Sequence, residues 1–559
     1  MKGFEALADA VVQEGIDTVF VVLSEDSLLF TVDLTQNRGV RLISCRNERG
    51  AAAMADGYYR ATGKLGVCIV SAGPGLTNAT SSLTTANRNK SGVLCITTTP
   101  APTTERYFPK TSDQRSIAEG TAGKYLRVRQ QQTLAEDIQL AFRHVRSGAG
   151  PAVLSVPLDV MDAQLDMVWE YSTSAARLPG SHTVHPDPYL VNMAVDMLAV
   201  AKKPVILAGR GAMDAKADGE IKILAERTGA LLATTLKAKR YMSDHPYMVG
   251  ISGTIGEDVA RTLLPESDCV LAVGARLGVY TTQFGFMFPG AKIIQIDKDA
   301  GRIGDITQVD LGIVGDARAT VAAINACMEE RQIAGRQGFW TPEVKSAIAA
   351  SRVKSEIEYV MAPDTIDPRQ LIAEMDRLLP EDRVVFLDGG HSMFFVQTGF
   401  PSPVITTGDF ACVGMGLFQG LGAAVGRPDS HVVVFAGDGA LMMSLEELDT
   451  AARYKIPITI VIMNDDSYSA EVRFLEARGY PTGIAFFSPL DFVAVAKSLG
   501  VPGFTVRNAN DLKAAAAAIG KGDGPVLIDA KTNVNVVHET WQNRTSFATA
   551  DGKKPVSVH

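Results

Sequence analysis

Two aspartates stand out in the run HVVVFAGDGALMMSLEELDTAARYKIPITIVIMNDDSYSAE at 431–471. An apolar, β-branched strand ends at Gly437-Asp438-Gly439. A helical period follows, with Leu441, Leu445, Leu448 and Ala452 on one face. Ile456-Pro457 stops it, and a second apolar strand ends at Asn464-Asp465. A strand–helix–strand crossover is right-handed and returns the chain parallel to its start. Asp438 and Asp465 therefore meet at the carboxyl ends of parallel strands, the rim where open α/β sheets bind ligands. Two carboxylates and a nearby main-chain carbonyl make a hard oxygen site suited to Mg2+, which keeps few protein ligands and shares phosphate oxygens. The fitting guest is a diphosphate. Gly439 lets the backbone approach it, and the helix start at Ala440 offers unpaired N–H groups. Gly-Asp-Gly alone reads more simply as a turn without metal; the second acidic strand end at this spacing argues against that.

The stretch resembles the thiamine diphosphate enzymes of the acetolactate synthase, benzoylformate decarboxylase and pyruvate decarboxylase superfamily, in which G-D-G is followed one crossover later by N-N or N-D. The resemblance implies thiamine diphosphate and Mg2+ as cofactors. It places the metal on Asp438, Asp465 and the main-chain oxygen of Ser467, and Gly437, Gly439, Ala440, Tyr468 and Ser469 around the cofactor. Many members carry Asn where this chain has Asp465. SCRNERGAAAMADGYYRATGK (44–64) is similar to the family's glutamate-bearing helix, and the matching residue is Glu48. Thiamine works as an electron sink once its C2 proton has gone, and the family's glutamate promotes that loss by bonding the aminopyrimidine ring. SAGPGLTN (71–78) resembles the family's S-G-P-G-x-T-N loop and brings in Gly73 and Asn78. DFACVGMGLFQGLGAAVG (409–426) resembles the stretch that holds the pyrimidine, with Met415 as the apolar wedge and the Val413 carbonyl as acceptor. Family members have Pro and Ala near Phe418-Gln419, where this chain departs. Asp388-Gly389-Gly390-His391-Ser392 matches the D-V-G-x-H loop, which puts Gly390, His391 and Ser392 beside the diphosphate. In this superfamily the glutamate and the metal site meet across two subunits, so a homodimer or homotetramer with interfacial active sites is implied.

Substrate positions follow no single branch. Glu25 stands in VFVVLSEDSLLF, where Leu23-Ser24 replaces the family's Pro-Gly. Glu471 matches a glutamate of pyruvate decarboxylases, and with Glu25 it forms a candidate pair for moving protons on bound substrate. Two solvated loop glutamates are the equal alternative. The His-His pair of pyruvate decarboxylases is missing, while Asp113-Gln114 is similar to acetolactate synthase-like chains. Ser71 stands where benzoylformate decarboxylase has a pocket histidine. The central segments ILAGRGAM (206–213), GISGTIGED (250–258), GARLG and IDKD resemble a flavin-binding domain. A Gly209–Gly211 pair is weak evidence by itself, and several relatives keep this fold without a nucleotide, so FAD stays open.

Positioning these groups requires buried parallel strands. DTVFVVL, GVCIVSA, VLCITTT, PVILAG, CVLAVGA, KIIQID, RVVFLD, HVVVFAGD and ITIVIMND are near-continuous apolar runs, as in strands covered by helices on both faces. Stretches at 166–188 and 332–366 break the rhythm and read as connections. The expectation is three doubly wound α/β domains: a pyrimidine-binding domain at 1–165, a Rossmann-like domain at 186–332 and a diphosphate-binding domain at 366–535, with a polar tail over 536–559. At 559 residues the chain is long enough for several domains. Its net charge of −8 offers no basic stripe for nucleic acid. The six cysteines are scattered and read as free thiols of a reducing, cytoplasmic compartment. No apolar run approaches membrane length, and the amphipathic MKGFEALADAVVQEG start is not a signal peptide.

The function these features suggest is a carboligase or decarboxylase acting on a small 2-oxo acid or related carbonyl compound. A 2-hydroxyacyl-CoA lyase or diketone hydrolase of the same superfamily is the alternative. A binding or regulatory protein on an inactive scaffold is the alternative of a different class; Glu48 and Asp438, whose loss would favour it, are both present.

Overall fold

The structure, a computed structural model, describes residues 1–541 apart from 179–182, 334, 336 and 353–356; the tail beyond 541 lies outside the described residues. Two compact units are formed. One gathers Met1–Pro179, Val360–Gly399 and Ile405–Val536, and the other is built around Gly180–Tyr359.

All three sheets are parallel and six-stranded. The first contains β1 (Thr18–Val21), β2 (Arg41–Ser44), β3 (Gly66–Ile69), β4 (Val93–Thr99), β5 (Tyr125–Arg127) and β6 (Ala152–Pro157), ordered β2-β1-β3-β4-β6-β5. The central sheet contains β7 (Pro204–Ala208), β8 (Leu231–Thr234), β9 (Met248–Ile251), β10 (Cys269–Val273), β11 (Lys292–Asp297) and β12 (Leu311–Val314). Its order is β12-β11-β10-β7-β8-β9, the doubly wound dinucleotide-fold order read from one edge. The third contains β13 (Arg383–Leu387), β14 (Val404–Thr406), β15 (His431–Gly437), β16 (Ile458–Asn464), β17 (Gly503–Val506) and β18 (Val526–Lys531), ordered β14-β13-β15-β16-β18-β17. The first and third sheets thus share one topology.

The apolar runs read from the sequence form β1, β3, β4, β7, β10, β11, β13, β15 and β16. Strands such as β4 and β16 are buried at every position because helices cover both faces. The helical period after Gly437 is broken in two, Asp438–Met442 and Glu447–Arg453. Ser444 causes local competition: its Oγ bonds back to the carbonyls of Ala440 and Leu441 at 3.4 and 3.3 Å. The apolar face survives the break, with Leu441 and Leu448 buried and Leu445 and Ala452 packed on the same core.

Within the first unit, the helix Glu48–Thr62 packs on the helix Gly416–Gly426. Their backbones touch at glycines. A Cβ at Gly57 would stand 1.9 Å from the Gln419 carbonyl oxygen, and one at Gly422 1.9 Å from that of Met54. Gln419, where the family pattern is broken, donates from Nε2 to the buried Asp56 carboxylate at 2.7 Å. Cys45, Cys68, Cys95 and Cys269 are buried free thiols; Cys327 and Cys412 are half-buried and also free. No helix among the described residues is long and apolar enough to cross a membrane.

Candidate active site

In the third sheet the strand order reverses between β13 and β15, so a ligand belongs in the crevice beyond their carboxyl ends. Asp438 follows β15 and opens the helix Asp438–Met442, and Asp465 follows β16. A small cleft brings the loops after β13 and β16 together; its lining includes His391, Ser392, Asp465 and Ser469. Gly437 adjoins it, since a Cβ there would lie 3.8 Å from Ser392 Oγ. Asp438 is buried, and burial together with the charge of Asp465 pushes its carboxyl up to about 7. Burial also raises Asp465, against hydrogen bonds from Ser467 and Ser469. Ser467 Oγ donates to Asp465 Oδ1 at 2.8 Å. Burial therefore disfavours ionisation of both, and the charge of Asp465 adds to that at Asp438. A divalent cation between hard oxygens relieves that repulsion, so the donor set fits Mg2+. Gly439 also meets a local steric need: the Tyr468 ring, itself edge-on to Phe487, lies 2.4 Å from where a Cβ would stand.

Asp388 ties the loop after β13 to the segment 413–416. It is buried. Its Oδ1 accepts the N–H groups of Gly389 and Gly414 at 2.7 and 2.9 Å, and Oδ2 accepts that of Gly416 at 2.7 Å. Val413 and Met415 are held between these anchors. Gly390 sits at φ +112°, where glycine is favoured, and His391 is buried edge-on to Phe395. Met415 is fully buried beside Ala53 and Phe418. Ser82 Oγ contacts its sulfur at 3.5 Å. The Val413 carbonyl accepts from Arg49 Nη2 at 2.6 Å, which brings the start of the Glu48 helix next to this segment.

Glu48 is the first residue of its helix, capped by the Asn47 side chain, which accepts from the Arg49 N–H. Asn78 Nδ2 donates to Glu48 Oε2 at 3.0 Å. Gly75 leaves room for the other oxygen, which lies 3.3 Å from where a Cβ would stand; Ser71 Cβ is 3.0 Å from the same point. Gly73, at φ +58°, abuts the Lys110 carbonyl, 2.1 Å from a hypothetical Cβ. Glu48, Ser71, Gly73 and Asn78 thus gather at the rim beyond β2 and β3.

That rim carries further charges. Asp26 is buried, and its Oδ2 accepts from Thr98 Oγ1, the Ala72 N–H and Ser71 Oγ at 2.6, 3.0 and 3.2 Å. Burial alone would raise its carboxyl, but hydrogen bonds from Ser24, Thr98 and the Ala72 N–H, with the Lys110 charge, hold it below the usual value. The Lys110 ammonium lies 3.6 Å from Glu25 and 3.7 Å from Asp26, and donates to Ser24 Oγ at 3.0 Å. Glu25 is 84% exposed, facing Lys110 at the loop surface. Glu471 is exposed in the first turn of the helix Ser469–Glu476. Gln114, the first residue of the helix Gln114–Thr121, is buried against the first sheet, bonded to the Thr98 carbonyl and to Ser155.

In the central unit, Gly209 and Gly211 meet the backbone of Gly274. A Cβ at Gly209 would lie 2.1 Å from the Gly274 oxygen, and the Gly211 N–H donates to that oxygen at 3.1 Å. These glycines serve the close approach of two chain segments.

Asp26, Lys110 and the anchoring bonds of Asp388 escaped sequence reasoning. Asp388 lay in a recognised motif, but its partners are Gly414 and Gly416 as well as its neighbour. Asp26 was overshadowed by the adjoining Glu25, and its burial depends on Thr98 of β4. Nothing in the sequence links Lys110 to either.

The chain is similar over its length to proteins of one kind. Residues 1–117 match the thiamine pyrophosphate enzyme N-terminal TPP binding domain, 191–324 the central domain and 388–530 the C-terminal TPP binding domain. The acetolactate synthase large subunit of Corynebacterium glutamicum is 30% identical over 549 residues, covering 95% of this chain and 86% of that protein. The acetolactate synthase large subunit of Parasynechococcus marenigrum is 28% identical over 549 residues, covering 95% and 87%. The sulfoacetaldehyde acetyltransferase of Castellaniella defragrans is 28% identical over 599 residues, covering 100% and 96%.

Proposed function

Because this chain belongs to the thiamine pyrophosphate enzymes, in the acetolactate synthase-like family, we propose that it makes or breaks the carbon–carbon bond beside the carbonyl of a 2-oxo acid, with the cofactor anchored through Mg2+. The observation that carries this is the acidic pair at the carboxyl ends of β15 and β16, beside the third sheet's switch point: Asp438, buried, is pushed up to about 7 by its burial and by Asp465. Bound thiamine diphosphate supplies an electron sink for the negative charge left at the carbonyl carbon. Asp438, Asp465 and the Ser467 carbonyl would hold the metal, and Gly390, His391, Ser392, Ala440 and Ser469 would surround the diphosphate. Met415 and the Val413 carbonyl would meet the pyrimidine. Glu48, steadied by Asn78, would hold a proton at the pyrimidine ring. Glu25 and Glu471 are exposed carboxylates suited to moving protons on the bound substrate.

The active unit in this proposal is a homodimer or homotetramer with the site shared between subunits. A flavin is not advanced, since the glycines that would suggest one are engaged by Gly274; the visible spectrum of the purified protein tests that. A second reading, acyl transfer to or from an anionic partner as the sulfoacetaldehyde acetyltransferase relative suggests, is favoured by one observation, the Lys110 ammonium at the rim. The test is a panel of 2-oxo acids and sulfoacetaldehyde, with Mg2+ and thiamine diphosphate, read for CO2 release and for coupled products. Release without coupling identifies a decarboxylase, and coupling a carboligase. Silence on the whole panel, with the cofactor shown to be bound, overturns the proposal.

A further inference from the structure

Three of the four residues leading into Glu48, namely Ser44, Arg46 and Asn47, are gripped by one helix of the third sheet's layer and the residue after it. The Ser44 N–H donates to Tyr454 Oη at 2.8 Å, and the Ser44 carbonyl accepts from Arg453 Nη2 at 2.6 Å. The N–H groups of Arg46 and Asn47 both donate to Glu447 Oε1, at 2.9 and 3.0 Å. The Arg46 side chain pairs with Asp449. All these partners lie on Glu447–Arg453 or on Tyr454, just after it.

Glu447 is the centre of this grip. It is fully buried, and its second oxygen accepts from Thr450 Oγ1. A Cβ at Gly50 would lie 2.5 Å from Glu447 Oε1, so the Glu48 helix leaves a side chain out of its first turn to admit this carboxylate. The carboxylate also sits at the positive end of that helix, where a negative charge is favoured. A buried carboxyl that accepts from two backbone donors and one hydroxyl is held by geometry that a smaller group does not reproduce. With no exposed surface, Glu447 cannot touch substrate.

We propose that Glu447 is the positioning residue for Glu48: it fixes the backbone of Arg46 and Asn47, and so sets where the Glu48 carboxylate meets the cofactor. This rests on the assignment of Glu48 to the pyrimidine ring, and the experiment separates the two. Full-length E447Q, E447A, Y454F and E48Q proteins are loaded with thiamine diphosphate and Mg2+. Binding is followed by calorimetry, and exchange of the cofactor's C2 proton with deuterium by NMR after acid quench, without substrate. Melting of the cofactor-free proteins reports folding.

E447A should slow C2 exchange about 10- to 100-fold, the scale of a displacement of about an ångström at a catalytic group. Cofactor affinity should change less than about threefold, because the diphosphate is anchored elsewhere. E447Q, which keeps the shape, should fall between E447A and wild type, and Y454F should be milder. If E447A does not fold, E447Q decides alone. Wild-type exchange in a folded E447Q or E447A, with exchange slowed in E48Q, overturns the positioning role. Wild-type exchange in E48Q itself overturns the assignment of Glu48 beneath it.

Discussion

Adding a methyl group at Gly57 tests whether the contact between two helices sets the site. In G57A the new Cβ would stand 1.9 Å from the Gln419 carbonyl oxygen and 2.5 Å from its carbon. Both neighbours are backbone, so no rotamer change makes room, and the helices must part by about 1 Å. Pivoting does not help, because Gly422 makes the reciprocal approach to Met54 at 1.9 Å. Overpacking of this kind costs about 1–3 kcal/mol, and the better helix propensity of alanine returns at most about 1 kcal/mol. The expected net loss is about 1–2 kcal/mol. The same displacement shifts Glu48, at the start of one helix, and Val413 and Met415, at the start of the other, each out of place for the site it serves, so turnover should fall as well. G120A is the matched control. Gly120 lies in the helix Gln114–Thr121 with nothing within 4 Å of a Cβ, and alanine there should be neutral or stabilise by up to about 1 kcal/mol. Thermal unfolding and steady-state turnover are measured for both. G57A should melt about 1–3 °C below wild type with reduced kcat, and G120A at or above it with turnover intact. A G57A protein that melts with G120A and turns over normally would show that this contact does not set the site.

Asp438, at about 7 when metal-free, must lose its proton to bind Mg2+. The Mg2+ affinity measured by calorimetry should therefore weaken as pH falls through 7, by up to about tenfold per unit, and D438N should bind weakly at every pH; a flat profile in wild type removes the acidic pair. The sign for folding follows from the same shift. A carboxyl raised from 3.8 to about 7 stabilises the metal-free fold most below the lower value, and that contribution is lost as pH rises through 7. Thermal melts across this range should show the loss in wild type and not in D438N. If the site is shared between subunits, mixing inactive E48Q and D438N chains under exchange conditions should restore part of the activity, whereas a mixture that stays inactive while hybrids form would place both groups in one chain. K110M should raise KM for anionic substrates with little change in kcat; an unchanged KM would exclude Lys110 from substrate recognition.

The strands were legible because burial on both faces leaves a local mark. β15 and β16 are unbroken apolar runs, and a helical crossover between them forces Asp438 and Asp465 to one rim. Short edge strands such as β5, half-buried throughout, leave little such mark. The break after Met442 was hidden because the apolar face continues across it and only the Ser444 hydroxyl interrupts the ladder. The bonds of Asp388, Asp26 and Glu447 were illegible for a different reason. Each joins segments far apart in the chain, and a carboxylate in a sequence carries no sign of which distant backbone N–H groups it will accept.

The shared strand order of the first and third sheets was equally hidden, since topology needs only apolar strands and suitable turns while the loop residues are free to differ. The contrast between those loops explains how one architecture serves two tasks. Beside the third sheet's switch point Asp438 and Asp465 end neighbouring strands, and the charge of Asp465 adds to burial in raising Asp438. At the first sheet's switch point, between β1 and β3, the buried Asp26 turns inward to Thr98, Ala72 and Ser71. It braces the loop on which exposed Glu25 meets Lys110. In the proposed function one rim would anchor the cofactor and the other would present proton donors and acceptors. Asn78 steadies one oxygen of the Glu48 side chain, and the backbone just before Glu48 is held separately, by the bonds from the N–H groups of Arg46 and Asn47 to Glu447.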